Sequence, residues 1–119
     1  EIYEMFPNLY ERRNSPGARL SGGEQQMLAL ARILRTGASI LLLDEITEGL
    51  APVIVQKLAQ VVKTLRSKAY TIILVEQNFR FAERLADRHF VVEHGQIVET
   101  VLGSELSEKT VLLNSYLGV

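Results

Sequence analysis

The spacing of apolar and polar residues changes several times along this chain, and each change marks a new element. Residues 1–13, EIYEMFPNLYERR, read as helical turns interrupted at Pro7, followed by the polar loop NSPGARL. From Ser21 to Arg35 the strong helix former MLALARILR predicts a helix that ends before Gly37. Its apolar positions fall around most of the circumference, which predicts burial on more than one side. The run ILLL at 40–43, ending in Asp44 and Glu45, does not alternate and predicts a strand covered on both faces, as in parallel sheets. Pro52 suits the first position of the next helix, where Ile54, Leu58, Val61, Val62 and Leu65 recur at helical spacing. TIILV at 71–75 reads as a second buried strand, so residues 40–75 form a β-α-β unit. A short helix over about 79–86 follows, then two strands in HFVVEHGQIVETV joined at His94-Gly95, a two-residue hairpin turn. A C-terminal helix covers about 108–117, and no internal repeat or low-complexity segment is visible. The fold class is α/β.

Composition narrows the picture. With 119 residues, the chain is one domain or part of a larger one, and 47% apolar residues supply a core. A net charge of -1 gives no reason to expect nucleic acid as a partner. The absence of cysteine excludes disulfides and thiolate metal sites. The longest apolar run is Met27 to Ala31, far short of the ~20 residues that span a bilayer. The opening residues lack both an apolar signal core and an initiator methionine, so the chain reads as a piece of something longer.

LSGGEQQ, residues 20–26, puts two glycines in the first turn of the predicted helix, although each costs roughly 1 kcal/mol against alanine in a helix interior. Ser21 and Glu24 fit a capping box, S-x-x-E, which leaves Gly22 and Gly23 unexplained. A bare glycine pair at a helix N-terminus exposes backbone N–H groups at the positive end of the helix dipole, a surface suited to phosphate. SILLLDE adds two carboxylates at the C-terminal end of a strand, where open α/β sheets bind ligands. Asp44 suits Mg²⁺, directly or through water, and Glu45 could activate a water for attack on a phosphoryl group. Alone, either motif has a plainer reading, as a helix cap or as the start of a solvated loop.

Together, about two dozen residues apart, LSGGEQQ and ILLLDE resemble the signature and the Walker B strand of ATP-binding subunits of ABC transporters. EGLAP, VEQN, VVEHGQIV and EIYEMFPNLYERR resemble the subgroup serving branched-chain amino acid import. The resemblance implies a partial P-loop NTPase fold with parallel strands, flanking helices and a C-terminal β-hairpin. Residues 1–119 would form the C-terminal portion of one nucleotide-binding domain. ATP and Mg²⁺ are the implied cofactors. The implied partners are a second ATP-binding subunit, packed head to tail, and transmembrane permease subunits, on the cytoplasmic face of the membrane. Ser21, Gly22 and Gly23, with Glu24 beside them, would lie at the partner's ATP. The bare glycines would let its γ-phosphate approach. Asp44 would serve the metal, and Glu45 and Gln77 catalysis.

The chain departs from the family at several points. G-x-x-x-x-G-K-[ST], the Walker A loop, occurs nowhere in it. Ile46 replaces the common proline after D-E, Ala51 the common aspartate of the following loop, and Gln77 the common switch histidine. The resemblance also implies a Walker A strand between the strands at 40–44 and 71–75. Without it, those strands should pair directly or the chain should self-associate. His89 and His94 lack metal-ligand spacing, and Arg12, Arg13 and Arg19 read as solvated surface. A soluble ABC-type ATPase acting on DNA or ribosomes is the competing reading, but no heptad coiled coil, zinc cysteine or basic surface supports it. A non-catalytic regulatory module is disfavoured because Glu45 is intact.

This chain alone, having no phosphate loop, should show no specific ATP affinity in the micromolar range. Isothermal titration with MgATP checks this; one-to-one binding at micromolar strength would contradict it.

Overall fold

The computed structural model describes residues 2–15 and 21–117. Arg19 and most of the polar loop before the signature fall outside them. The chain forms two compact units, residues 1–75 and 76–119.

The first unit opens with two short helices, α1 (Ile2–Met5) and α2 (Pro7–Glu11), split where Pro7 supplies no N–H and starts the second. Phe6 and Leu9 are buried. Helix α3 (Gly22–Arg35) runs from its Ser21 cap to Thr36, as the spacing predicts. It is not buried on several sides. Gly23, Met27, Leu30, Ala31 and Leu34 form one inward stripe, whereas Ala29 is exposed and Leu28 and Ile33 are half-buried. Alanine and leucine fill the flanks because they favour helix, not because a second surface covers them.

Strand β1 (Ile40–Asp44) and strand β2 (Thr71–Val75) pair directly in parallel, Ile40 opposite Thr71 through Asp44 opposite Val75. Helix α4 (Pro52–Ser67) connects them, with Pro52 in its first turn and Leu58, Val61, Val62 and Leu65 inward. The β-α-β expectation is thus met. The expected burial of both sheet faces is not. Leu41 and Leu43 are buried, but the alternate side chains Ile40 and Leu42 are 61% and 71% exposed, and Ile73 and Val75 are exposed beside them. Successive strand residues point to opposite faces, and among the described residues only one face is covered. Each fully buried leucine, such as Leu41, Leu58 or Leu65, contributes about 1.5–3 kcal/mol to holding this unit together.

The second unit holds α5 (Phe79–Glu83), shorter than expected because the chain turns at Arg84, and the antiparallel hairpin β3 (Arg88–Glu93) and β4 (Gln96–Leu102). His94 and Gly95 form the two-residue turn with φ of 51° and 75°. Positive φ at both positions matches the right-handed twist of the strands and is easiest for glycine. The pairing shifts between Val91 and Val92, which face Glu99 and Ile97 and leave Val98 as the extra residue of a bulge. A 3₁₀ turn (Gly103–Glu105) leads to α6 (Thr110–Leu117). Phe81, Leu85, Val101 and Leu113 are buried. Among the described residues, no helix is long and apolar enough to cross a membrane.

The open face formed by Ile40, Leu42, Ile73 and Val75 should make this chain self-associate. Light scattering should show mass rising with concentration, and Leu42→Thr with Ile73→Thr should suppress the rise without changing the circular dichroism. A strictly monomeric wild-type chain at high concentration would contradict this.

Candidate functional site

The N-terminus of α3 is built by a reciprocal cap. Ser21, extended at φ -62° and ψ 163°, accepts through Oγ from the Glu24 N–H at 3.2 Å, and its own N–H donates to Glu24 Oε1 at 3.1 Å. Arg12 Nη1 lies 3.5 Å from the same Oε1. The Ser21 N–H, against a smaller opposing effect of burial, holds the Glu24 carboxyl below its ordinary range, helped by the Ser21 side chain and Arg12. The contribution of this cap is therefore present above the ordinary carboxylate range and lost as acid protonates Glu24. Glu24 is thus committed to the cap and to Arg12. Ser21 is exposed.

The glycine pair divides. Gly22 is exposed, and a Cβ there would meet only the mobile end of Leu50, Cδ2, at 3.3 Å. Gly23 is buried, and a Cβ there would overlap the Cγ2 methyl of Ile54 on α4. That methyl is bonded directly to Cβ on a branched side chain, whose rotamer is restricted in a helix. The first turns of α3 and α4 therefore touch because position 23 has no side chain. The missing side chain at Gly23 thus meets a packing need inside the chain, and the one at Gly22 leaves the surface open.

Asp44 ends β1 and is exposed. At the next residue, Glu45, the backbone turns into the left-handed region, φ 49°, while its N–H donates to Val75 O at 2.8 Å. A non-glycine residue there costs roughly 1–2 kcal/mol and persists only where its surroundings hold it. Local bonds close the following turns, from the Glu48 N–H to Glu45 O at 3.3 Å and from the Leu50 N–H to Thr47 O at 3.2 Å. Gln26 Nε2 of α3 donates to Ile46 O at 3.2 Å. Gln26, Leu30, Asp44, Ile46 and Leu58 help line a cavity of about 110 Å³ between α3, β1 and α4. Ile46 thus lacks proline's rigidity, but its carbonyl is held from outside the loop. Ala51, extended at φ -65°, caps α4 without a side-chain bond, and Pro52 follows it.

Gln77 is exposed and belongs to the second unit. In that unit, burial pushes the His89 imidazole below its ordinary pKa, partly opposed by Glu83, and its ring packs edge-on to Phe79 at 5.9 Å. His89 is thus a neutral packing residue and His94 a turn residue. Among the described residues, no three His, Asp or Glu side chains gather to hold a metal ion. Asp44, exposed at the end of β1, is able to give one carboxylate to a hydrated cation. The first unit thus brings the capped end of α3 and the Asp44–Glu45 turn into one bonded assembly.

A family model described as ABC transporter matches residues 3–48. The high-affinity branched-chain amino acid transport ATP-binding protein BraG of Pseudomonas aeruginosa is 43% identical over 118 residues, which are 99% of this chain and 51% of the relative. This chain belongs to the ABC transporter family. It spans about half the length of that curated relative. The ATP-binding cassette MJ1267 of an ABC transporter superposes with a TM-score of 0.86 at 23% identity, over 98% of this chain and 46% of that one. Both strands of the parallel pair lie within that superposition. In this chain, which carries no Walker A loop, they pair directly, one of the two outcomes expected for it. A dimeric post-hydrolysis state of the cassette MJ0796, bound to ADP and Pi, superposes with a TM-score of 0.63 at 27% identity, over 71% of this chain and 37% of that one.

Two residues at this ABC-family site carried little signal in the sequence. Gln26 stands within LSGGEQQ but reads as one more polar helix residue, and nothing marks Ile54 beyond its place on the inward face of α4. Their packing yields a test. Gly23→Ala should destabilise the fold by about 1–3 kcal/mol through overpacking, and Ile54→Ala should relieve much of that cost in the double variant. Gly22→Ala should change stability by less than about 0.5 kcal/mol. Urea denaturation of the four variants measures all of this; equal costs at the two glycines, or strict additivity of Gly23→Ala and Ile54→Ala, would contradict it.

Proposed function

We propose that this chain is the signature, Walker B and switch portion of an ATP-hydrolysing subunit that energises import of branched-chain amino acids or similar small solutes. The observation that carries the reading is the bonded assembly in the first unit. It presents an uncovered helix N-terminus at Ser21 and Gly22, and carboxylates at the end of a parallel strand at Asp44 and Glu45. The first surface suits phosphate and the second suits a hydrated cation and water. The name and the 43% identity of the Pseudomonas relative support the substrate class. The dimeric cassette bound to ADP and Pi supports a pair of ATP-binding subunits, which in this reading pack head to tail. Permease partners and a peripheral cytoplasmic position follow from the transport role.

In this reading Ser21 and Gly22 of one subunit donate N–H and O–H groups to the γ-phosphate held by the other. Gly23 shapes that surface by letting α3 sit against Ile54, and Glu24 keeps Ser21 in place through the cap. Asp44 would hold Mg²⁺, directly or through water; the ion, when bound, would offset phosphate charge. Glu45 accepts the proton of the attacking water, and its strained backbone fixes where the carboxylate points. Gln77 donates an amide N–H to the γ-phosphate and adds no charge, because an amide does not ionise near neutral pH.

The test uses the complete subunit of which we propose the chain is part. Glu45→Gln should keep ATP bound while lowering turnover about 100-fold or more. Gln77→Ala should lower turnover with nucleotide affinity nearly unchanged, and Gln77→His should retain activity and acquire a pH dependence near the histidine value of about 6.5. Steady-state ATPase rates across pH, with retained-nucleotide assays, measure these outcomes. Normal turnover in Glu45→Gln would remove Glu45 from the role of base.

A further inference from the structure

The Glu45 turn is tied to the rest of its unit on both sides. Upstream, β1 and the bond from the Glu45 N–H to Val75 O anchor it to the sheet. Downstream, Gln26 Nε2 reaches across from α3 to Ile46 O at 3.2 Å. The bonds within the segment, Glu48 to Glu45 and Leu50 to Thr47, move with it and do not fix it against the rest of the unit. Glu45 sits between the two anchors with φ at 49°, a conformation from which a non-glycine residue relaxes when it is released. A side chain leaves the backbone in a direction set by φ, so such relaxation would swing the Glu45 carboxyl away. Gln26 and Ile46 are both half-buried and line the cavity that Asp44 also lines.

We infer that Gln26 is a positioning residue for Glu45: by holding the Ile46 carbonyl from helix α3, its amide keeps the Glu45 backbone left-handed and its carboxylate aimed for proton transfer. The inference rests on the proposed ATPase role of Glu45. The donor is the feature that matters. Glutamate at position 26 has the same shape but no N–H to give, whereas lysine keeps a donor of similar reach.

The experiment compares wild type, Gln26→Glu and Gln26→Lys in the complete subunit by two readouts. Amide hydrogen exchange without nucleotide reports whether residues 45–50 are held. Steady-state kinetics report kcat and KM for MgATP. Gln26→Glu should raise exchange in 45–50 about tenfold over that in α4 and lower kcat about tenfold, with KM within about twofold, since small misplacement of a catalytic group is enough for such losses. Gln26→Lys should bring both readouts back toward wild type. Unchanged exchange and kcat in Gln26→Glu would overturn the inference, as would a general rise in exchange across α3 and α4 with kcat and KM both impaired. If wild type hydrolyses no ATP, the proposed function fails instead, and the exchange readout still decides whether Gln26 holds the turn.

Discussion

The contact on which the rest of this site depends is the one between Gly23 and Ile54. Two helices begin close together, and the backbone of one lies where a side chain would otherwise stand. Because the Ile54 methyl fills that space, the first turn of α3 is fixed against the first turn of α4. The next turn of α3 then brings Gln26 to the Ile46 carbonyl. A methyl group at position 23 would push the two helix starts apart and shift everything bonded to them, since close-packed interiors do not absorb added volume freely. The geometry of the capped end and of the Asp44–Glu45 turn therefore follows from one missing side chain.

From that contact the electrostatics divide cleanly. The end of α3 offers N–H groups and a hydroxyl, with the charge of Glu24 tied up by Ser21 and Arg12. The end of β1 offers two carboxylates, one exposed and one on a strained backbone. One surface favours anions and the other favours cations and water. The same short assembly carries both, as the proposed role between two subunits requires. The open apolar face of β1 and β2 lies outside this division, and its exposure is a property of the sheet rather than of the site.

Much of this was legible in the sequence because several signals agreed. Ser21 and Glu24 bracketed a helix start, MLALARILR had no competing structure, and the elements at 40–75 had the lengths of a β-α-β unit. His94-Gly95 marked its turn because few residue pairs accept positive φ twice. What was not legible depended on tertiary contact. ILLL is apolar at every position, so its pattern gave no sign that Ile40 and Leu42 lie uncovered. The flanks of α3 looked buried because leucine and alanine favour helix as well as cores. The packing need at Gly23 was not legible because its neighbour, Ile54, is thirty-odd residues away in sequence. The direct pairing of β1 with β2 is one of the two outcomes expected of a chain without the Walker A strand.

The two signature glycines differ in their surroundings: Gly23 meets the chain's own Ile54, whereas Gly22 is exposed and in the proposed role faces the nucleotide. The most direct measurement is a structure of the complete subunit's dimer, carrying Glu45→Gln to retain MgATP. The account predicts the partner's γ-phosphate within hydrogen-bonding distance of the Ser21 hydroxyl and the Gly22 N–H, with Gly23 still seated on Ile54. A dimer in which Gly23 has left Ile54 to meet the phosphate, or in which nucleotide lies away from the start of α3, would contradict it.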